Sequence, residues 1–466
     1  KKFTESVVLG EVLRLTLEQQ GVSATHRKEL GGTRLLWNAL KAGDIHAYAE
    51  YTGTLESELL GRKISDPKEW RQALAAHGLG ISAPLGFNNT YALGLPEARA
   101  QALGLARISD LKAHPRLRLG FSEEFRLRED GWPGLRSRYV LPQKNVRGLD
   151  HDIGYSALRS GDIDLKDLYA TDAEIHYYGL TVLADDLGHF PRYDAVVIYR
   201  LDRTNELSRA LPHLEGAIDD ATMSQLNRRV KIDRVPSARV AADFVGQRLG
   251  TKISVARVGR TERMILRTRE HLKLVSVSLT LAILAAVPLG IWAARGPHAG
   301  RAIMMVVGTV QTIPALALLV MLIRPLNWLG LAGIGDPPAL IALFLYSLLP
   351  VVRNTQAGLM AIPRDLRETA EVFALSRRTR LLRVDLPMAL PAILAGVKTA
   401  AVLNVGFATL GALVGAGGYG QPILTGIRLD DYGLIMEGAI PAALLALVCQ
   451  GAFDLLERRL VSPGLR

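Results

Sequence analysis

The stretch ETAEVFALSRRTRLLRVDLPMALP, residues 368–391, is a polar, arginine-rich segment between two long apolar runs. Apolar residues 339–352 precede it, and another apolar run begins at Ala392. Its arginines crowd together at positions 377, 378, 380 and 383. Basic residues in a short loop between membrane spans place that loop in the cytoplasm. The stretch therefore predicts a cytoplasmic loop of a membrane protein, which is either a solvated connection or a docking helix for another protein.

The second half of the chain predicts a multi-pass membrane domain. Its apolar runs are long enough to cross a bilayer in about five spans, which are residues 272–294, 303–323, 339–352, 392–413 and 435–456. Clustered arginines follow the first, third and fifth spans. Because these are alternate loops, all of them can be cytoplasmic, which leaves the N-terminal half extracellular or periplasmic.

Polar residues inside the spans allow two interpretations. Gln311, Asn404 and Glu437 are candidate pathway residues, although hydrogen bonding between helices explains each of them equally well. Lys398 is expected to reach the cytoplasmic end of its span. The glycine-rich residues 415–420 predict a flexible external loop, and Pro387 and Pro391 predict a stop or kink where the fourth span begins.

Composition excludes several classes of function. The chain has 466 residues and a net charge of +11, but its arginines lie beside apolar runs and no nucleic-acid motif is present, so no nucleic acid is expected. The single cysteine, Cys449, permits no internal disulfide. The sequence contains no Walker-type phosphate loop, metal-ligand cluster or catalytic triad spacing. We therefore expect no enzyme, no cofactor and no metal site.

The N-terminal half contains an internal repeat. Residues 39–45, ALKAGDI, recur as residues 157–163, ALRSGDI. A tyrosine, Tyr51 or Tyr169, stands eight residues after the glycine in each copy. The repeat predicts two similar α/β lobes with a ligand in the crevice between them, unless the similarity is a coincidence of two helix-turn-strand units.

Tyrosines are placed where binding groups usually lie. Tyr51, Tyr91, Tyr169 and Tyr193 are all expected at strand ends or in loops. Such a cluster can hold a cation through its ring faces, as in the recognition of quaternary ammonium ligands. Taken singly, each tyrosine is also explained by packing.

The stretch at 368–391 resembles the cytoplasmic loop of ABC importer permeases, in which E-A-A is followed by a glycine and then by I-x-L-P. The resemblance rests on Glu368-Thr369-Ala370, Ala374 and Val384-Asp385-Leu386-Pro387. It implies contact with an ATPase by a set of coupling residues, which are Glu368, Ala370, Ala374, Arg377, Arg378, Leu386 and Pro387. Ala374 replaces the family's glycine, and alanine does not adopt a left-handed turn cheaply.

The N-terminal half resembles the binding proteins of osmoprotectant (glycine betaine, carnitine, choline) importers. The matching segments include residues 2–5 (KFTE), 50–54 (EYTGT), 87–91 (FNNTY), 130–135 (DGWPGL), 169–173 (YATDA) and 190–194 (FPRYD). The resemblance implies a two-lobed α/β periplasmic-binding-protein fold (type II-like) followed by an all-α transmembrane ABC importer permease domain. The implied boundaries are 1–250 for the binding domain, 251–270 for a linker and 271–466 for the permease, with the coupling loop at 361–391.

The same resemblance implies a function. The tyrosine cage would fall on Tyr51, Tyr91, Tyr169 and Tyr193, and the polar end of the ligand would meet Thr54, Asn89 and Ser6, the last in place of the family's glutamine. The ligand would be a quaternary ammonium solute (glycine betaine, choline or carnitine). The expected partners are a separate ATPase subunit, a second copy of this chain and the lipid of a bacterial cytoplasmic (inner) membrane. The alternatives are an importer for another betaine such as ergothioneine, or a membrane-anchored receptor that does not transport.

Overall fold

The computed structural model describes residues 1–64, 66–256 and 259–462. Arg257 and Val258 in the predicted linker, and residues 463–466 at the end of the predicted permease, lie outside the described residues. Contacts divide the chain into two compact units. The N-terminal unit comprises Lys1–Arg257 with Ile427–Asp431, and the helical unit comprises Val258–Gly426 with Tyr432–Arg466.

The N-terminal unit is an α/β structure with two separate sheets. Its strands are β1 (Ala47–Tyr51), β2 (Leu79–Ile81), β3 (Tyr91–Pro96), β4 (Leu119–Ser122), β5 (Val146–Leu149), β6 (Leu165–Tyr169), β7 (Leu180–Leu183) and β8 (Ala195–Arg200). Its α-helices are α1 (Thr4–Gln19), α2 (Thr33–Ala42), α3 (Thr52–Thr54), α4 (Pro67–Ala75), α5 (Glu97–Leu103), α6 (Glu123–Leu127), α7 (Trp132–Tyr139), α8 (His151–Ser160), α9 (Glu174–Tyr177), α10 (Thr204–Leu207), α11 (Asp220–Lys231) and α12 (Ser237–Leu249). Alternation of strands and helices therefore gives the predicted α/β lobes.

Sheet topology shows that the lobes are related. The first sheet has the order β1-β8-β2 and the second has the order β5-β4-β6-β3-β7. Both β1 and β2 are antiparallel to β8, as β6 and β7 are to β3. In the second sheet β4 is parallel to β5 and β6. Because the chain crosses between the sheets after β2 and again after β7, it builds two lobes, which confirms the predicted two-lobed α/β fold.

The internal repeat is visible in the backbone. Helices α2 and α8 each end at a glycine with positive φ, 88° at Gly43 and 77° at Gly161. The N–H that follows donates to an equivalent carbonyl in each copy, from Asp44 to Ala39 and from Asp162 to Ala157, both at 2.9 Å. Glycine takes this left-handed conformation without strain. The repeated letters therefore encode the same helix-to-strand turn in both lobes.

The helical unit contains the predicted spans. Its α-helices are α13 (Arg260–Ala293), α14 (Pro297–Thr312), α15 (Ala315–Trp328), α16 (Asp336–Met360), α17 (Arg364–Val372), α18 (Arg377–Arg380), α19 (Leu386–Phe407), α20 (Gly420–Leu429) and α21 (Tyr432–Leu460). Within the described residues, four helical segments are long and apolar enough to cross a membrane, and α14 with α15, bent by 102°, form a fifth if the pair counts as one span. The interruption predicted at 311–314 lies at this bend, where Pro314 precedes α15.

Part of the predicted linker is helical. Helix α13 begins at Arg260 and runs without a break into the first apolar run, so residues 260–270 belong to that helix. The charged residues of its first turns do not end the helix, because arginine and glutamate are good helix formers.

Two further expectations concern irregular segments of the helical unit. The helix does not stop at Pro387 or Pro391, because it continues from α18 through a π-turn at Leu381–Asp385 into α19. A π-turn directly before the prolines is the kind of local irregularity that accompanies a kink. The glycine-rich residues 415–420 are held by hydrogen bonds, so the expectation that they are flexible is wrong. The Gly418 N–H donates to Glu270 Oε2 at 2.8 Å, and the Tyr419 hydroxyl donates to Thr268 Oγ1 at 2.9 Å. A Cβ on Gly417 would lie 2.4 Å from Glu270, so the glycines permit close packing.

Three of the polar residues in the spans have partners within the unit. The Asn404 amide donates to Ser278 Oγ at 3.1 Å. This contact is the hydrogen bond between helices that was one of the two interpretations of Asn404. Glu437 lies 3.6 Å and 3.5 Å from the side chains of Arg260 and Arg263, respectively. Lys398 forms an ion pair with Asp454 of α21. A paired charge is far less costly in lipid than a single one.

Candidate functional site

Strand ends bring the predicted tyrosines toward one region of the N-terminal unit. Tyr51 ends β1, Tyr169 ends β6 and Tyr91 begins β3. Tyr193 lies two residues before β8. Tyr91 and Tyr169 are direct partners across the β3–β6 pair, so their side chains leave the second sheet side by side.

The aromatic rings form a connected cluster. The ring centroid of Tyr91 lies 5.5 Å from that of Tyr169 and 5.4 Å from that of Tyr193. Tyr51 joins the cluster through Phe3, whose ring lies 6.2 Å from Tyr51 and 5.5 Å from Tyr169. Sequence reasoning missed Phe3 as a wall of the cluster, although it stands in the Phe-Thr-Glu motif beside the start of α1.

A buried carboxylate, Glu5, is hydrogen-bonded to a tyrosine of this cluster. It accepts hydrogen bonds from the Tyr51 hydroxyl at 2.5 Å and from the Asn89 amide at 2.9 Å. It also accepts from the Thr171 hydroxyl and, at 3.1 Å, from the Asn227 amide. Because Thr171 follows β6 of the second lobe and Tyr51 ends β1 of the first, Glu5 ties the two lobes together.

Burial controls the titration of Glu5. Removal from water raises its pKa to about 7, and the hydrogen bonds from Thr171, Tyr51 and Asn227 oppose this rise. Among the described residues no basic side chain forms an ion pair with Glu5. The carboxylate is therefore poised to change charge near neutral pH.

The polar residues predicted for the ligand's other end are all buried, and two of them have protein partners. The Asn89 amide nitrogen donates to Glu5, and its oxygen accepts from the Thr171 hydroxyl at 3.0 Å. Ser6 Oγ accepts from the N-terminal amine at 2.9 Å. Thr54 is buried just beyond β1. In this closed arrangement Asn89 serves as a link between the lobes.

A second polar cluster crosses the cleft near Tyr193. The Tyr193 hydroxyl donates to Asp130 Oδ2 at 2.6 Å, and Ser57 donates to the same oxygen at 2.8 Å. Arg128 pairs with Asp130, and its guanidinium lies 5.8 Å from the centroid of the Tyr91 ring. Burial alone would raise the pKa of Asp130, but the hydrogen bonds and charge of Arg128 hold it below its usual value. Neither Arg128 nor Ser57 was predicted, since no repeat or aromatic pattern marks them.

Tyr169 has a histidine against its ring. The imidazole of His151 stacks on it with centroids 4.3 Å apart and planes 26° apart. His151 Nε2 lies 2.9 Å from Asp172 Oδ2. Burial and Lys166 lower the pKa of His151, but Asp172 and Asp167 outweigh them and raise it to about 9. The ring is therefore stacked against a positively charged group at neutral pH.

The aromatic cluster suits an organic cation better than a metal ion. A cavity of about 20 Å³ beside the cluster, lined partly by Phe3, Glu5 and Asn89, has room for about one water molecule. Among the described residues no group of three or more histidine, cysteine, aspartate or glutamate side chains could hold a metal ion. Electron-rich ring faces with a nearby carboxylate can attract an organic cation.

The predicted coupling residues lie on α17 and α18, on the turn between them and at the start of α19. Helix α17 ends at Val372, and Ala374 then adopts a left-handed conformation with φ 49°. The Leu375 N–H donates to the carbonyl of Ala370 at 3.3 Å, as in a Schellman motif whose left-handed position is usually glycine. Alanine therefore occupies the strained position that the sequence identified.

The surface of these two helices is both apolar and basic. Val372 is 84% exposed and Phe373 is 74% exposed. Arg377 and Arg378 at the start of α18 are exposed, as is Glu368 on α17. Leu386 and Pro387 begin α19. Exposed aromatic and aliphatic side chains rimmed by charge are typical of a protein-binding surface.

Two family models match the chain. Residues 1–247, more than half of the chain, match the substrate binding domain of ABC-type glycine betaine transport systems. Residues 286–462 match the inner membrane component of binding-protein-dependent transport systems. The matches agree with the α/β and helical characters of the two units.

Individual relatives are similar to this chain over about half of its length. The choline transport system permease protein OpuBB of Bacillus subtilis is 34% identical over 203 residues, 44% of this chain and 91% of the relative. The osmoprotectant import permease protein OsmW of Salmonella typhimurium is 39% identical over 199 residues, 43% of this chain and 92% of the relative. The ergothioneine transport permease/ergothioneine binding protein EgtU of Helicobacter pylori is 32% identical over 262 residues, 54% of this chain and 47% of the relative.

A solved structure described as a glycine betaine/carnitine/choline ABC transporter covers 52% of this chain and 94% of its own, with 29% identity and a TM-score of 0.43. The helical unit is that of a multi-pass permease of the bacterial inner membrane, which the permease matches establish. The chain belongs to the family of ABC-type glycine betaine transport substrate-binding domains, here continuous with a binding-protein-dependent transport permease in one polypeptide.

Proposed function

We propose that this chain captures a quaternary ammonium compatible solute, such as glycine betaine, choline or carnitine, outside the membrane and conducts it inward as the permease of an ATP-driven importer. The observation that carries this proposal is the ring cluster of Tyr91, Tyr169 and Tyr193, extended to Tyr51 by Phe3. Several ring faces from both lobes can surround a trimethylammonium group, which has no hydrogen-bond donor to offer.

Binding and lobe closure would be one event. Tyr51, Tyr91, Tyr169 and Tyr193 hold the ammonium group, and Thr54, Asn89 and Ser6 lie at the edge where the ligand's polar end would fall. Glu5 and Asp130 accept hydrogen bonds from tyrosines of the cluster and from residues of both lobes. A ligand that orders the rings thus also favours the closed pairing of the lobes.

Energy would enter from another chain. We infer that two copies of this chain assemble with two separate ATPase subunits, and that the surface of α17 and α18 seats in a groove on each ATPase. Glu368, Ala370, Ala374, Arg377, Arg378, Leu386 and Pro387 form that contact or shape the turn and helix that present it. The chain itself then performs no catalytic step.

These proposed roles correspond to separate ranges of the chain. Residues 1–250 form the extracytoplasmic binding domain, and the permease begins near residue 271, preceded by helical residues of α13. The coupling loop occupies 361–391. The similarity to EgtU, which also unites a permease and a binding protein in one chain, makes ergothioneine a second candidate ligand.

Reconstitution tests this proposal against a receptor that binds without transporting. The chain is co-expressed with its ATPase subunit, purified and placed in liposomes, and ATP hydrolysis and uptake of choline, glycine betaine, carnitine and ergothioneine are measured. We expect one or more of these ligands to stimulate hydrolysis and to accumulate inside. Ligand binding without stimulation or uptake would favour the receptor and contradict the importer.

A further inference from the structure

The first residue of α8 lies directly against a wall of the cage. His151 covers one face of the Tyr169 ring, with ring centroids 4.3 Å apart and planes 26° apart. In the proposed cage, a ligand cation would contact the other face of the Tyr169 ring. Sequence reasoning did not single out His151, because its position in the chain is 18 residues from the tyrosine it touches.

One carboxylate holds the ring and the histidine together. Asp172 Oδ2 lies 2.9 Å from His151 Nε2 and accepts the Tyr169 backbone N–H at 2.9 Å. The Tyr155 hydroxyl also donates to Asp172. The backbone of Tyr169 and the group stacked on its ring are therefore fixed by the same acceptor, which limits the rotations open to that wall of the cage.

The surroundings of His151 keep it positively charged. Charged groups face it from its own helix, from β6 and the loop that follows, from α1 and from α11: Asp152, Lys166, Asp167, Asp172, Glu174, Glu5 and Lys231. Carboxylates outnumber the basic groups in this set. Burial and Lys166 lower the pKa of His151, while Asp172 and Asp167 raise it, with a net value of about 9.

A cation already present on one face of an aromatic ring changes what the other face can do. The quadrupole of the Tyr169 ring attracts the imidazolium on one face and would attract a ligand ammonium on the other. The two positive charges repel each other across the ring. Fixing the Tyr169 ring in place raises affinity, because less conformational entropy is then lost when the ligand binds. His151 therefore acts on a bound cation in two separable ways.

We propose that His151 is a positioning residue for the ligand cation, which braces Tyr169 and at the same time weakens, through its own charge, the hold of that ring on the ligand. This inference rests on the proposed binding of quaternary ammonium ligands. It assigns to His151 a tuning of affinity, so that a solute captured outside is also released to the permease.

Two substitutions separate the effect of ring packing against Tyr169 from the effect of the charge. His151→Phe keeps an aromatic ring against Tyr169 and removes the charge, whereas His151→Ala removes both. Tetramethylammonium and choline are titrated by calorimetry into the full chain in lipid nanodiscs. We expect H151F to bind both probes about three- to tenfold tighter than the wild type, and H151A to bind them more weakly than H151F. His176→Phe, a substitution of an exposed histidine in α9, is the control and leaves affinity unchanged.

The pH dependence supplies a readout that a purely structural role would not change. Affinity of the wild type for tetramethylammonium should rise as the pH passes from 8 to 10, because a ligand cation favours the neutral imidazole, and H151F should lack this rise. If H151F leaves Asp172 unpaired and fails to fold, H151Q, which offers Asp172 a neutral donor, replaces it as the neutral variant in this pH comparison.

Two results overturn the inference: H151F binding no tighter than the wild type, or a wild-type affinity with the same pH profile as the neutral variant. A wild-type chain that binds neither probe contradicts the proposed function itself, whereas a binding wild type with an indifferent H151F contradicts this inference alone.

Discussion

Individual rings of the cage should carry measurable binding energy. Tyr91→Ala and Tyr169→Ala each remove one face, and we expect each to weaken choline binding by ~1–2 kcal/mol, about five- to thirtyfold in Kd. Tyr91→Phe keeps the ring and should bind nearly as well as the wild type. Calorimetry that finds the alanine variants unchanged would show that the rings are packing residues.

Glu5 gives the N-terminal unit a specific pH dependence. Its pKa in the folded chain is about 7, raised by burial from about 4.5, so its contribution to stability is fully present below pH 4.5 and is lost as the pH rises through 7. The loss is about 3 kcal/mol in free energy of unfolding, from 1.36 kcal/mol per unit of pKa.

Glu5→Gln stays neutral and tests this directly. Calorimetric melting at pH 5 and pH 8 should show the variant gaining stability relative to the wild type at the higher pH. A difference between the two proteins that is the same at both pH values would mean that Glu5 is ionised throughout, with its four donors outweighing burial.

Ala374 is a strained residue that can be relieved. A left-handed alanine costs about 1–2 kcal/mol more than glycine, so Ala374→Gly should stabilise the turn by about 1 kcal/mol, after allowing for the greater freedom of glycine when unfolded. Hydrogen exchange of the amides after α17 should slow accordingly. Ala370→Gly, within α17, is the matched control and should speed exchange; the same sign for both variants would contradict this account.

At the level of residues, sequence reasoning identified groups with a repeated or familiar setting. Tyr51 and Tyr169 were found because each follows the same glycine turn, and the concern about Ala374 was justified by its φ. Glu5 and His151 were missed, because each acts through partners far away in the chain. Arg128 pairs with nearby Asp130, but it meets the cluster through the distant ring of Tyr91. Such pairings depend on how the strands come together, which no local pattern records.

Helices formed where the sequence predicted them wherever the pattern of apolar residues was regular. The apolar runs became the long helices of the helical unit. The glycine-rich residues 415–420 departed from their predicted flexibility, because they pack closely against α13. In this segment tertiary contacts outweighed the local tendency.

Helix α18 provides the test at the scale of elements. Charge reversal in the variant Arg377→Glu/Arg378→Glu should weaken association with the ATPase at least roughly tenfold, because it places like charges where opposite ones meet. ATPase retained on the affinity-purified chain measures this. Arg301→Glu, an exposed arginine near the start of α14, is the control. Equal loss from both variants, or uptake unaffected by the double reversal, would contradict a docking role for α18.

The whole molecule joins a binding domain and a permease in one chain, and each half explains a feature of the other. The external lobes give the permease its ligand, and residues 368–391 offer the permease a cytoplasmic surface through which a separate ATPase could act. Composition alone concealed this division, since an average hydropathy merges a soluble half with a membrane half. The order of apolar runs and arginines revealed it.

The central claim is that the cage recognises positive charge surrounded by methyl groups. Calorimetry of the full chain in nanodiscs with choline and with 3,3-dimethyl-1-butanol, its uncharged isostere, tests this claim most directly, because the two ligands differ mainly in charge. We predict that choline binds at least about tenfold tighter, which corresponds to ~1.4 kcal/mol. Equal affinities for the two ligands, or no heat with choline, glycine betaine, carnitine or ergothioneine, would contradict the account.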